Sequence, residues 1–401
     1  MMRPKLRFAP GQGLNYPAYT FKTLADVCEI RREIVDLSNL SDVQFAEYSM
    51  PAFDSGKKPK VIFGSEAKSG RISICGDVLL FNKLNVRKKR IWNVRNSPDN
   101  SVCSAEFIPV IATGVLQDYM YYAVSTDKFT KTVEECSSGT SNSQKRITPS
   151  IFLEQKIACP CSQEQQKIAS FFTALDEKIS IKNATLKSFT ALKADTMSRI
   201  FSQRLSLGTN GPWKVSLLKD VLDVERGGSP RPIDKFLTSD PDGLNWIKIG
   251  DAPIDGNRIT SVKEKILRSG LSKTRFVRKG DLILSNSMSF GRPYILDVDG
   301  CIHDGWLSIK NSKNVFDVDF LVYLLASQEV KRQYRSLAGA GVVTNLNKDL
   351  VNKVILSYPT LREQKNIANI LNSIDEKIVI IKKQVATLEK LKEGFMQQMF
   401  V

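Results

Sequence analysis

Glu164-Gln165-Gln166-Lys167-Ile168-Ala169, followed by Asp176-Glu177-Lys178-Ile179, recurs as Glu363-Gln364-Lys365-Asn366-Ile367-Ala368 with Asp375-Glu376-Lys377-Ile378. The offset is 199 residues, and eight of the sixteen positions from 164 to 179 are identical in the second copy. Random matching at background composition gives about one. Upstream of each copy, Leu24-Ala25-Asp26-Val27 matches Leu218-Lys219-Asp220-Val221, and Gly76-Asp77-Val78-Leu79-Leu80 matches Gly280-Asp281-Leu282-Ile283-Leu284, in the same order. The repeat is therefore a whole unit, present twice, with a period far too long for a solenoid.

Each unit ends in a helical pattern whose apolar residues fall at alternating steps of four and three. Copy one reads Ile168, Phe172, Leu175, Ile179, Leu186 and Phe189, then Ile200; copy two reads Ile367, Leu371, Ile374, Ile378, Ile381, Val385, Leu388, Phe395 and Met399, broken only by Lys392. A period of 3.5 held this long predicts a coiled coil, and Pro160 and Pro359 sit just before the two starts, where proline is tolerated. Burying both stripes within one chain requires the second helix to run back along the first, as a rod of about 60 Å at 1.5 Å per residue. Upstream of each helix, short apolar runs (78–81, 107–111, 246–249, 282–284, 353–356) lie between Gly, Pro, Asn and Asp clusters and read as strands. Residues 118–124 and 319–326 read as helices with an acidic first turn. The expected fold class is α+β: two pseudo-symmetric mixed α/β globules separated by a long antiparallel two-helix coiled coil, a dumbbell. The expected domains are 1–160 (with a leader over about 1–19), a spacer helix at 161–205, a second globule at 206–360 and a second spacer helix at 361–401.

Fifty-eight Lys and Arg against 42 Asp and Glu leave a net charge of +16 over 401 residues. The excess is spread, +6 over 1–160 and +5 over 206–360, which suits a protein lying along a polyanion. No run approaches the roughly 18 apolar residues of a membrane span, and 1–17 lacks the apolar middle of a signal peptide, so a cytoplasmic protein with no membrane partner is expected. The seven cysteines include no CxxC pair and the single histidine, His303, supplies no second ligand cluster, which argues against a metal site.

A search for catalytic residues mostly fails. There is no GxxxxGK[ST] loop, no GxGxxG after a strand and no Asn-Pro-Pro-aromatic motif. His303 beside Asp304 reads as a satisfied loop residue, and Glu154-Gln155-Lys156 lacks a nearby Pro-Asp. The chain reads as non-catalytic, a reader without its own chemistry.

The order globule, EQxxIAxxxxxxDEKI helix, globule, EQxxIAxxxxxxDEKI helix resembles the specificity subunit of type I restriction-modification systems, over almost the whole chain. Gly227-Gly228-Ser229-Pro230 and the two Gly-Asp-(Leu/Val)-(Ile/Leu)-Leu strands support the resemblance. It implies that each globule is a target recognition domain reading one half of a split, asymmetric DNA sequence, with the helices as spacer. It also implies partners: double-stranded DNA, two adenine-N6 methyltransferase subunits using S-adenosylmethionine, and two motor-nuclease subunits using ATP and Mg²⁺. Cofactors would then belong to those subunits and not to this chain. Duplicated helices offer two equivalent docking surfaces for two identical methyltransferases; the polar face near Glu164, Gln165, Asp176, Glu363, Gln364 and Asp375 is the candidate.

For DNA contact the candidates in globule one are Lys83, Arg87, Lys88, Lys89 and Arg90, after the Gly76 strand, and Ser143, Gln144, Lys145 and Arg146 in the loop 137–146. In globule two they are Asn286, Ser287 and Arg292 after the Gly280 strand, and Thr344 and Asn345 in the loop 339–345. Arg226 and Arg231 flank Gly227, Gly228 and Ser229, whose consecutive N–H groups are expected to cradle a phosphate. Arg suits guanine edges while Asn and Gln suit adenine, so Gln144, Arg146, Asn286, Arg292 and Asn345 are candidate base readers, and the other cations set register on phosphates. Three alternatives stay open: a protein-binding coiled-coil scaffold, an enzyme whose site goes unrecognised, and an orphan specificity subunit serving methylation only.

Overall fold

The computed structural model describes residues 4–9, 15–67, 69–139, 144–206, 211–286, 291–338 and 346–400. It divides into two compact units, residues 1–183 with 384–401, and residues 184–383. Each unit holds one globule, the start of the helix that follows that globule and the end of the other long helix, so the compact units cut across the four consecutive segments expected from the sequence.

In the first unit, Thr20–Thr23 pairs antiparallel with Lys156–Cys159, tying the entry of the globule to its exit. Between them lie an antiparallel four-stranded sheet, in the order Cys28–Ile30, Phe107–Ala112, Gly76–Asn82, Ile91–Ser97, and a mixed five-stranded sheet. The mixed sheet has one parallel pair, Gln44–Tyr48 with Ser101–Ser104. Helix α1, Gln117–Val124, packs its Tyr119, Met120 and Tyr122 into the core. The chain then passes Pro160 into helix α2, Ser162–Phe201.

The second unit repeats this plan. Lys214–Leu217 pairs with Ile355–Tyr358, and two five-stranded sheets lie between them, each with one parallel pair. Helix α3, Val318–Leu325, corresponds to α1, and helix α4, Leu361–Met399, leaves the globule after Pro359. Before the Gly227-Gly228 pair, Leu218–Val221 forms one helical turn and Asp223–Arg226 forms the strand. The strand expected at 353–356 begins at Ile355, because Lys353 closes a short helix, Lys348–Asn352.

The long helices pack together within each unit, and none of the thirteen seam residues is exposed. Ile168, Phe172, Ile367, Leu371, Ile374, Ile381 and Val385 are buried, and Leu175, Ile179, Leu186, Phe189, Ile378 and Leu388 half-buried. The first turns, however, serve the globules as much as the seam. Ile168, Ala169 and Phe172 of α2, with Met399 of α4, belong to the core around Leu79, Phe81 and Phe152. Ile367, Ala368 and Leu371 of α4, with Ile200 and Phe201 of α2, belong to the core around Leu282, Leu284 and Phe320. Aromatic contacts tighten the join in the first unit: Phe171 of α2 meets Phe395 of α4 edge-on at 5.1 Å between centroids, and Tyr122 of α1 meets Phe172 of α2 in a tilted pair at 5.1 Å.

Candidate nucleic-acid interface and helix anchors

The repeated Glu-Gln pair is not an exposed docking face. Gln165 is buried; its Oε1 accepts from the Leu116 N–H at 2.9 Å, just before α1, and its Nε2 donates to the Pro160 carbonyl at 2.9 Å. Gln364 does the same 199 residues later: Oε1 accepts from the Asp317 N–H at 2.9 Å, and Nε2 donates to the carbonyls of Pro359 at 3.0 Å and Val315 at 3.2 Å. Each glutamine thus satisfies the backbone where the loop before the short helix meets the start of the long one. Glu164 is fully buried and held by the leader, with Arg7 Nε and Nη2 at 3.0 and 2.6 Å and the Tyr19 hydroxyl at 3.1 Å. Arg7 also lies over the Tyr19 ring, and burial beside Glu164 pushes the Tyr19 hydroxyl up. Glu363 is likewise buried. The docking expectation at Glu164, Gln165, Glu363 and Gln364 is therefore corrected: these side chains are turned inward.

Asp176 and Asp375 sit at a second duplicated contact. Tyr122 of α1 donates its hydroxyl to Asp176 Oδ2 at 3.0 Å, and Lys392 Nζ lies 2.5 Å from Oδ1 and over the Tyr122 ring at 5.6 Å. In the second unit Tyr323 of α3 donates to Asp375 Oδ2 at 2.8 Å, and Lys193 Nζ lies 2.7 Å from Asp375 and over the Tyr323 ring at 5.3 Å. Burial, reinforced by the adjacent carboxylate, raises the Tyr323 hydroxyl, and burial raises that of Tyr122. Lys392, which breaks the apolar seam, is half of this contact. Lys193 was missed from sequence; its signal is the offset of 199 to Lys392.

The expected DNA-contact residues divide. After the Gly76 strand the chain makes a one-turn helix, Val86–Lys88, flanked by left-handed Asn85 and Lys89. Three of its cations meet carboxylates: Arg87 with Glu134 at 3.3 Å, Lys89 with Asp127, and Arg90 with Asp54 through two contacts of 2.8 and 2.5 Å. Arg90, only 14% exposed, is a structural residue. Lys88 is exposed and Lys83 half-buried. Gln144 and Arg146 are exposed and Lys145 half-buried, with Arg146 bridging to Ser138 and ion-pairing Glu106 at 2.8 Å. Ser143, Ser287, Thr344 and Asn345 lie outside the described residues.

Two expectations in globule two are corrected. The Gly227 and Gly228 amides do not form a phosphate cradle: they donate to the carbonyls of Trp306 at 2.9 Å and Ile302 at 3.1 Å. The glycines are required by contact, since a Cβ on Gly227 collides with the His303 carbonyl and one on Gly228 lies 2.6 Å from the Lys273 carbonyl. Ser229 lies in the same turn, its Oγ 3.5 Å from the Asp304 N–H. Asn286 is buried, its Nδ2 donating to the Asp304 carbonyl at 2.8 Å and its own carbonyl accepting from Leu346. Its side chain is thus turned inward, onto the Asp304 carbonyl. Around this braced turn two cations face outward: Arg231 is 83% exposed, and Arg226 is exposed and reaches the Asp304 carbonyl. Arg292 is half-buried and lies over Tyr294 with Nη2 on the Gly256 carbonyl. Near Arg231, a cleft of about 800 Å³ is lined by Trp246, Lys248, Glu264 and His303. Among the described residues no group of three or more His, Cys, Asp or Glu is placed to hold a metal ion.

Residues 18–190 and 210–390 match the family model described as the type I restriction modification DNA specificity domain, once in each half. The chain belongs to that family of specificity subunits. It is 30% identical over 196 residues to a type I restriction enzyme MjaX specificity subunit of Methanocaldococcus jannaschii, covering 47% of this chain and 45% of that relative. The MjaVIII specificity subunit of the same organism is 23% identical over 304 residues, 69% of this chain and 68% of the relative. The chain thus spans less than half of the first relative's length and about two thirds of the second's. Among solved structures, the type I system S subunit from M. genitalium covers 100% of this chain and 99% of its own at TM-score 0.62 and 15% identity. A chain solved in work on complex assembly and conformational transition of the type I restriction-modification system covers 96% and 98% at TM-score 0.60 and 20% identity. At these identities the structures show a shared fold, that of the specificity subunit, with its two globules and paired helices.

Proposed function

We propose that this specificity subunit reads a bipartite, asymmetric DNA target, one half with each globule, and that the paired helices set the gap between halves. The observation that carries the reading is the contrast within the duplication. The anchors at Gln165 and Gln364, Asp176 and Asp375, Tyr122 and Tyr323 repeat nearly atom for atom, whereas the outward-facing residues differ: Lys88, Gln144 and Arg146 in one globule, Arg226 and Arg231 in the other. Equal scaffolds with unequal faces are what two different half-sites require. The chain itself is non-catalytic; methyl transfer with S-adenosylmethionine, and ATP- and Mg²⁺-dependent translocation and cleavage, belong to two methyltransferase and two motor-nuclease subunits assembled on it. A reader of chromosomal and phage DNA is expected in the cytoplasm. Among the described residues no helix is long and apolar enough to cross a membrane.

With the glutamines buried, docking passes to exposed apolar residues that the duplication also repeats: Ile181 with Ile380, and Leu192 with Leu391. Their recurrence at one offset of 199 residues supports two equivalent docking positions for two copies of one partner. The test of the two-reader model is a swap of residues 206–360 for the second globule of another specificity subunit. One half of the methylated motif is expected to change and the other to persist; a change in both halves contradicts it.

A further inference from the structure

The Tyr122–Asp176–Lys392 and Tyr323–Asp375–Lys193 contacts share one design: tyrosine from the globule's short helix, aspartate from the long helix that follows that globule, lysine from the other long helix. All four charged groups are between 23% and 35% exposed, so a lysine left without its aspartate at this depth is costly. A single polar residue at a seam position fixes the register of a coiled coil at some expense in stability. Two such positions, one near each end, do more. Asp176 and Lys193 are 17 residues apart on α2, and Asp375 and Lys392 are also 17 apart on α4, a span of about 25 Å at 1.5 Å per residue. Because the spans are equal, one axial alignment closes both contacts together, and a slip of one turn opens both.

We propose that these two contacts are register pins that fix the axial alignment of α2 against α4, and through it the number of base pairs the subunit accepts between half-sites. The inference rests on the two-reader function proposed above. The four charged residues are positioning residues, each engaged by its ion-pair partner and a tyrosine. A slip of one helical turn, about 5.4 Å, corresponds to about 1.6 base pairs at 3.4 Å each, so loosened pins admit neighbouring spacings.

The experiment is methylome sequencing of a host carrying the methyltransferase subunit with the wild-type chain, with Lys193→Met/Lys392→Met, or with the charge swap Lys193→Asp/Asp375→Lys/Lys392→Asp/Asp176→Lys. Wild type is expected to methylate one spacing, the double methionine variant to add spacings one or two base pairs away, and the swap to return to one. A folded methionine variant that keeps the single spacing at undiminished efficiency overturns the pins and leaves the two-reader function standing. Absence of a bipartite motif with wild type overturns that function instead. Hydrogen exchange on the full chain then decides the pins separately: amides of 179–190 and 378–389 are expected to exchange about tenfold faster in the methionine variant, and unchanged exchange there refutes the pins.

Discussion

Replacing Gln364 by methionine keeps the volume of the side chain and removes every hydrogen bond it makes. The buried amide serves the Asp317 N–H, the Pro359 carbonyl and the Val315 carbonyl, at 2.9, 3.0 and 3.2 Å. A buried backbone group left unpaired costs about 1–3 kcal/mol, and a partner set sharing one side chain loses less than the sum, so the expected destabilisation is about 3 kcal/mol. Gln165→Met strands two groups, the Leu116 N–H and the Pro160 carbonyl, and is expected to cost about 2 kcal/mol. Urea unfolding followed by far-UV circular dichroism, with the slope unchanged, reads both as shifts in midpoint. The order of the two variants matters as much as the size, because it follows from the count of bonds. If both variants stay within about 0.5 kcal/mol of wild type, the ordinary scatter of surface changes, yet lose the methyltransferase, the glutamines are a docking surface after all and the internal-anchor argument fails.

Further outcomes follow from the same geometry. Gly227→Ala, whose Cβ meets the His303 carbonyl, is expected to cost about 3 kcal/mol by overpacking and to open the 227–232 turn to limited proteolysis; a wild-type digestion pattern contradicts it. Arg146→Ala and Lys88→Ala are each expected to lower the salt slope of DNA binding by the assembled complex by about one, whereas Arg90→Ala, removing the partner of Asp54, is expected to lower stability and leave the slope unchanged. Ile181→Glu/Ile380→Glu is expected to abolish co-purification of the methyltransferase without moving the urea midpoint; retained co-purification refutes docking there. Asp54, Asp77 and Glu225 are held below the usual carboxylate range, by the Arg90 side chain, by the Asn96 N–H and by the Lys310 side chain respectively. A carboxylate with a depressed folded pKa contributes stability above its unfolded pKa and loses it as pH falls through the folded one, so the urea midpoint is expected to hold from pH 7 to about 4.5 and drop below about pH 4. A flat midpoint down to pH 3 contradicts the assignment.

The duplication was legible because eight identities at one offset need no three-dimensional information, and the helices because heptad spacing is local. The role of Gln165 was not: a polar residue at a helix start reads as solvated, and its partner, the Leu116 N–H, lies 49 residues upstream. Lys392 was visible as a break in the stripe, but its partner Asp176 is 216 residues away in sequence. The Gly227-Gly228 pair was misread because glycine serves equally where backbone amides face an anion and where two backbones meet, and only the positions of His303 and Lys273 decide between them. Among the candidate DNA contacts, sequence identified cations but not which of them neighbouring carboxylates already hold, as Asp54 holds Arg90.

Adenine methylation mapped across the genome of a host expressing this chain with a cognate methyltransferase, against the same host lacking the chain, decides whether the chain is a reader of a split DNA target. One bipartite motif is expected, present only with the chain, whose two halves differ. A soluble complex that produces no new motif, or a motif with a single uninterrupted half, contradicts the two-reader function.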